Sequence, residues 1–244
     1  MTALPPAVLE LAAELQALGW VTDLYVGGSL ATGDYVPGVS DIDLVALVDG
    51  PVDAGRVAGL TTLHRRLDHS AAAGRALGCA YVDGSDVGDL AGRHPTWTHG
   101  SMRTKWLSGI TRAELVLHGF PVFGREPREV LPAMGRDDVR DAARAELLGY
   151  WATAARRPWW WLDRVMPDLG LTSMARGRHA LATGELLTKS RAIEQAHAPS
   201  WFVEQMRARR RGERVASPRL RSAVIAWTDA RRTVAQTRAQ AARR

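Results

Sequence analysis

Apolar residues recur at Val8, Leu11, Leu15 and Leu18, the spacing of one helix face, and Gly19 follows as a stop, so a helix is predicted over Pro6–Leu18. Val21–Val26 reads as a short strand running into Gly27-Gly28. Gly33, Pro37 and Gly38 break the segment Ala31–Ser40 into a turn or loop. Asp41–Val48 (DIDLVALV) is a near-continuous apolar run with two acids at its head, the pattern of a buried strand. A helix over Val57–Leu77, a third strand over Gly78–Val82, a long loop from Asp83 to Gly109 and a helix over Ile110–His118 complete the first part.

From about Asp137 the periodicity becomes helical throughout. Helices are predicted over Val139–Ala155, Leu171–Ala182, Thr188–Ala196, Pro199–Arg211 and Pro218–Ala239. The breakers between Pro121 and Pro132 mark the boundary of two domains, 1–130 and 131–244. The expected fold class is α/β (α+β): an N-terminal domain on a small mixed sheet, then an all-helical C-terminal domain.

Charge changes this picture only locally. The 244 residues carry a formal net charge of +6. Twelve Arg against three acids from Trp201 onward give that segment a surplus of nine, which leaves the first 200 residues at −3. The basic excess is a property of the C-terminal segment, and a run such as Arg207–Arg211 is ordinarily a solvated helix face. It keeps a nucleic-acid partner as the less favoured alternative. Lysine is nearly absent, with Lys105 and Lys189 beside 30 Arg. One cysteine, Cys79, excludes an internal disulfide and a cysteine-rich zinc site. No apolar run is long enough to span a bilayer, and the first fifteen residues do not read as an export signal, so a cytoplasmic protein without membrane contact is expected, as monomer or weak dimer.

The chemistry concentrates in Gly27–Leu44, GGSLATGDYVPGVSDIDL. Gly27 and Gly28 end a strand without a Cβ, which lets backbone approach a ligand. Ser29 follows at a turn or helix start, where N–H groups favour phosphate oxygens. Asp41 and Asp43 stand two apart on a strand, so both carboxylates share one face and can hold Mg²⁺, which prefers oxygen ligands. Alone, a D-x-D is common and a Gly-Gly-Ser is usually just a turn; the two in succession at strand ends make the functional reading the better one.

This stretch resembles the nucleotidyltransferase superfamily, whose signature is Gly-Ser, a variable loop and Asp-x-Asp at a strand start. More widely the chain resembles the aminoglycoside adenylyltransferases that act on streptomycin and spectinomycin. In TSMARGRHALATGELLTK, Arg176 and Lys189 stand thirteen residues apart, as that family's phosphate-binding Arg and Lys do, with Thr188 in place of a serine. The resemblance implies an Mg·ATP co-substrate with its phosphates against Ser29, Ser40, Arg176 and Lys189, and a helical domain closing the nucleotide and acceptor cleft. It also implies a third carboxylate on the strand after the long helix, serving as general base. Aligning Arg75-Ala76-Leu77 puts Gly78 there instead, and Asp83, at the end of the same strand, is the nearest substitute.

Several other residues are candidates for the acceptor side. Trp159-Trp160-Trp161 cannot all face one core, so Trp160 is a candidate wall, with Asp163 and Asp168 to meet ammonium groups or else to cap helices. Trp97, between His94 and His99 in the expected loop, is a candidate stacking platform. The expected function is transfer of AMP from Mg·ATP to a hydroxyl of a small acceptor, an aminoglycoside or similar polyol. The alternatives are a nucleotidyltransferase acting on RNA or protein and, given Gly78, a nucleotide-binding protein without catalysis.

Overall fold

The computed structural model describes residues 4–243, and the chain divides into two compact units, Met1–Met134 and Gly135–Arg244. The first contains α1 (Pro6–Ala17), β1 (Val21–Val26), α2 (Gly28–Ala31), β2 (Ile42–Val48), α3 (Ala54–Asp68), β3 (Leu77–Asp83), β4 (Arg93–Thr98), β5 (Ser101–Trp106), α4 (Gly109–His118), β6 (Phe120–Phe123) and α5 (Pro127–Val130). Six strands form one mixed sheet in the order β5-β4-β3-β2-β1-β6. Only β2 and β3 run parallel, linked by the helical crossover α3; the remaining neighbours are antiparallel.

Strand alternation sends successive side chains to opposite faces. On one face Leu24, Ile42, Leu44, Cys79, Tyr81 and Trp97 pack with Leu11 and Leu15 of α1 and Leu60 and Leu67 of α3. On the other, Tyr25, Val45, Leu47, Ala80 and Val82 pack beneath Leu115 and Val116 of α4. Two-sided burial explains why β2 reads as an unbroken apolar run rather than an alternating one. Asp43, at the head of β2, is exposed although the rest of the strand is buried.

Two segments differ from the sequence expectation. The predicted loop 83–109 contains the hairpin β4–β5, closed by the two-residue turn His99-Gly100 with φ of 49° and 70°. A turn with both central residues left-handed matches the strand twist, and glycine accepts it readily. The predicted helix over Val57–Leu77 is shorter and begins earlier. Asp53 caps it by accepting from the Arg56 N–H at 2.8 Å, and turns occupy 69–76 before β3.

The second unit is helical. α6 (Arg136–Glu146) continues through a π turn at Leu147–Trp151 into α7 (Ala152–Ala155), followed by α8 (Met166–Thr183), α9 (Lys189–Glu194), α10 (Ser200–Arg210) and α11 (Arg219–Ala241). Leu147, Trp151, Trp161, Leu171, Met174, Phe202, Ala226 and Val234 form its core. Gly170 lies inside α8, where a Cβ would stand 2.7 Å from Cη2 of Trp161. Arg178 joins α8 to α11, its Nη1 donating to both carboxylate oxygens of buried Asp229 (2.9 and 3.0 Å) and to Thr233. No helix among the described residues is long and apolar enough to cross a membrane.

The buried carboxylate of Asp23 fastens the edge strand β6 to β1. It accepts from the Arg125 N–H at 2.7 Å, from its guanidinium at 2.6 and 3.1 Å, and from Thr22. Burial pushes its pKa up, but these bonds outweigh burial and hold it below the ordinary 3.8. A native pKa lowered in this way contributes stability above the unfolded value, and that contribution is lost as pH falls through the native one. Asp23→Asn is therefore expected to cost about 1–2 kcal/mol at neutral pH, because Arg125 is largely solvated, and to flatten the melting temperature's decline below pH 4. Thermal unfolding followed by circular dichroism between pH 2 and 7 checks both.

Candidate active site

The Gly-Gly turn lies on the head of β2. The Gly27 N–H donates to the Asp43 carbonyl at 2.8 Å, which continues the β1–β2 pairing one residue past its strand end. Gly28 is left-handed (φ 56°), and a Cβ there would overlap Oδ2 of Asp43 and stand 3.0 Å from its Cγ. The missing side chain is thus the space that the Asp43 carboxylate occupies. Ser29 is half-buried in α2, whose N-cap is Gly27. Asp41 and Asp43 are both exposed while Ile42 between them is fully buried, so the two acids share one face. Buried Ser40 accepts from the Val36 N–H at 3.0 Å and shapes the loop that delivers Asp41.

Two exposed carboxylates on one face, beside a turn with no side chain, fit Mg²⁺, which is commonly held by one or two carboxylates and completed by substrate phosphates and water. No group of three or more His, Cys, Asp or Glu suited to a metal occurs among the described residues, so a protein-only cage is not built here.

Register decides the third-acid question. In the parallel pair, Asp43 stands beside Gly78, and Val48 beside Asp83. Asp83 is therefore five residues along the strand, about 16 Å from the Asp43 level, and on the opposite face. Its carboxylate accepts from the Ser85 N–H and hydroxyl at 3.0 and 2.8 Å. The expectation that Asp83 completes the site is corrected. Trp97 is corrected too: it is a β4 residue on the face opposite Asp43, fully buried and stacked on His64 at 5.0 Å. Burying an aromatic this size stabilises the fold by a few kcal/mol, and its ring faces the core rather than a ligand. His94 and His99, at opposite ends of β4 and its turn, do not form a metal pair.

A cleft of about 500 Å³ opens from Gly28 and Asp43 across Gly78 and Ala80 towards β5 and the start of α4. Gly78 is its floor: a Cβ there would meet only ordinary contacts, the Trp97 and Ile42 carbonyls at 3.6 and 3.7 Å. Thr96, Thr98, Lys105, Trp106, Ser108 and Thr111 are among its walls, none of them named by sequence reasoning. One signal was present, since Lys105 is one of only two lysines. The thiol of Cys79 points away from the cleft into the core on the opposite face, and burial pushes its pKa up to about 12, so it stays protonated and is no nucleophile.

In the helical unit Nε of Arg176 donates to the Leu187 carbonyl at 2.8 Å, tying α8 to the turn before Thr188, which caps α9 so that Lys189 begins it. Arg178, two residues further along α8, is committed to Asp229. Asp163 caps α8 through Val165 and Met166, and Asp168 makes a two-bond ion pair with Arg209 (2.7 and 2.8 Å). Neither acid is left as a simple ammonium acceptor. Trp161 is core, Trp159 is exposed, and Trp160 is partly buried beneath the Arg157 guanidinium at 4.6 Å. The basic run is also committed: Arg207 pairs with Glu194, Arg209 with Asp168 and Arg211 with Glu213, while Arg210 donates to Ser190.

Residues 8–78 match the family described as "Nucleotidyltransferase domain", a span that runs from α1 to Gly78 and includes both the Gly-Gly-Ser turn and the Asp pair. No curated protein matches the chain by sequence. Among solved structures the fold is similar to that of spectinomycin adenyltransferase AAD(9) from Enterococcus faecialis, determined with ATP and spectinomycin, with a TM-score of 0.71 at 14% identity over 94% of this chain and 98% of that one. Residues 8–78 thus resemble a nucleotidyltransferase domain, and the chain taken whole is similar in fold to an aminoglycoside adenylyltransferase.

Proposed function

We propose that the protein transfers AMP from Mg·ATP to a hydroxyl of a small polyol acceptor, releasing pyrophosphate. The observation that carries this reading is the seating of the Asp43 carboxylate in the space left by Gly28, with Asp41 on the same face. Asp41 and Asp43 would hold Mg²⁺, which when bound neutralises charge developing on the triphosphate. The Gly27–Ser29 turn lets the phosphates approach backbone. By the resemblance, Arg176 and Lys189 are assigned to phosphate binding. Most of the rate enhancement on this reading is positioning and charge stabilisation, with acceptor and α-phosphorus held in line.

An acceptor hydroxyl must lose a proton, and β3 carries no carboxylate beside Asp43. In this reading Asp43 itself, or water in the open cleft, takes the proton, and turnover is slower than with a dedicated base. Aminoglycosides belong on the acceptor panel because the structural relative was solved with spectinomycin. The commitment of Asp163 and Asp168 to other partners removes the two acids expected to draw them in. The ion pairs along Arg207–Arg211 neutralise part of the basic run that kept an RNA substrate as an alternative.

Three substitutions test the reading by mass spectrometry of acceptors incubated with the protein and Mg·ATP. Asp43→Asn is expected to abolish the mass gain of one AMP; an undiminished gain would remove the metal site from the mechanism. Gly28→Ala, which strains a left-handed position and displaces the Asp43 carboxylate, is expected to lower the rate about 100-fold or more while the protein stays folded. Gly78→Asp places a carboxylate beside Asp43 in a position with room for it, and is expected to raise the rate about 10- to 100-fold, most steeply between pH 5 and 7.

A further inference from the structure

The helical unit has a cavity of its own, about 650 Å³, which neither the family match nor the transfer reading assigns. It lies where the chain turns through 211–218 from α10 into α11, against the first turn of α8. Its apolar lining is Val165, Pro167, Phe202, Val215 and Ala216, with Phe202 fully buried. The turn is braced rather than collapsed onto this floor. The Arg209 guanidinium donates to Asp168 at 2.7 and 2.8 Å, and to the Val215 carbonyl and the Ser217 hydroxyl at 2.9 Å each. Ser217 donates in turn to Gln205, and the Arg219 guanidinium donates to the Leu162 carbonyl, both at 2.6 Å. A space held open by such bonds is preformed, so a ligand does not have to order its walls.

One polar group here is unmet. Ser222, in the first turn of α11, lines the cavity at 3% exposure, and its Oγ is buried with no hydrogen-bond partner. A helical serine ordinarily bonds back to the carbonyl four residues before it or faces water, and this hydroxyl does neither. Buried hydroxyls nearly always have a partner, so one without marks a place where a bound molecule can supply it. The carboxylates along the cavity are already engaged: Asp163 caps α8, Asp168 pairs with Arg209, and Glu213 pairs with Arg211. Arg164 and Arg214 line it as exposed residues, where solvent screens their charge. We propose that this cavity binds an uncharged, fused-ring aromatic alcohol, its rings against Phe202 and Pro167 and its hydroxyl bonded to Ser222 Oγ. An ammonium finds no free carboxylate there, and a carboxylate would have to shed its water to reach an apolar floor whose unmet group is a neutral hydroxyl. The volume lies within the range of small-molecule sites.

The test is ligand-detected NMR titration of the full-length protein at neutral pH with 2-naphthol, naphthalene, the anion 2-naphthoate and the cation 2-naphthylmethylammonium. The expected result is saturable binding of 2-naphthol, about fivefold or more tighter than each of the other three, the size of one hydrogen bond. In Ser222→Ala its advantage over naphthalene should fall below about twofold, with naphthalene itself bound as before. Because that variant removes an unmet buried hydroxyl, its melting temperature should equal or exceed that of the unsubstituted protein. Ala216→Trp, at the exposed mouth, should abolish binding of both molecules. Equal affinity for 2-naphthol and naphthalene, an advantage that survives Ser222→Ala, or tighter binding of either charged probe overturns the assignment. So does binding retained in Ala216→Trp, or no saturable binding of any probe. A lowered melting temperature in Ser222→Ala would show that the hydroxyl already has a partner within the fold, and overturns it as well.

Discussion

The approach of the Gly27-Gly28 turn to the head of β2 is the contact on which the site depends. It needs three things at once: a backbone bond from Gly27 to Asp43, a left-handed residue at 28, and no side chain there. Any other residue at 28 pays in strain and in collision with the carboxylate. The strand core then fixes the direction of the acids, because Ile42 is locked into the apolar layer and its neighbours on either side must face the solvent. The two acids are thereby placed at the edge of the core, Asp43 on the strand and Asp41 at the end of the loop that leads into it.

Much of this was legible in the residues. β2 announced itself as an apolar run with acids at its head, α1 by its periodicity, and the helical second unit by a change of pattern near Asp137. The hairpin β4–β5 was not legible, because RHPTWT and SMRTKW carry few apolar residues, β5 is an edge, and the turn uses His-Gly rather than Asn-Gly. β6 was hidden by Pro121, which an edge strand tolerates where a central one does not. Periodicity also overextended α3, since the alanines after Asp68 continue a helical composition through turns 69–76.

The placement of the candidate residues was legible where it is local in sequence and illegible where it depends on register. Asp41, Asp43 and Gly28 lie within sixteen residues of one another, and their relation follows from strand geometry alone. The relation of Asp83 to Asp43 depends on how β2 and β3 slide, and parallel pairing sets them far apart. Trp97 illustrates the same limit: its place on the core face follows from pairing with Cys79, a contact no short window contains. In the helical unit, Asp168 was visible as an acid, but its commitment to Arg209 across 41 residues was not.

The sheet ends in two open strands, and each carries a means of discouraging association with other copies. β6 has four residues and a proline that removes one donor. β5 presents Arg103 and Lys105, whose charges would have to be buried for a second sheet to pair along that side. These charges keep a long unsatisfied backbone from recruiting a neighbouring strand. A variant that neutralised this row would lose colloidal protection, so solubility rests on a margin of the sheet well away from its core.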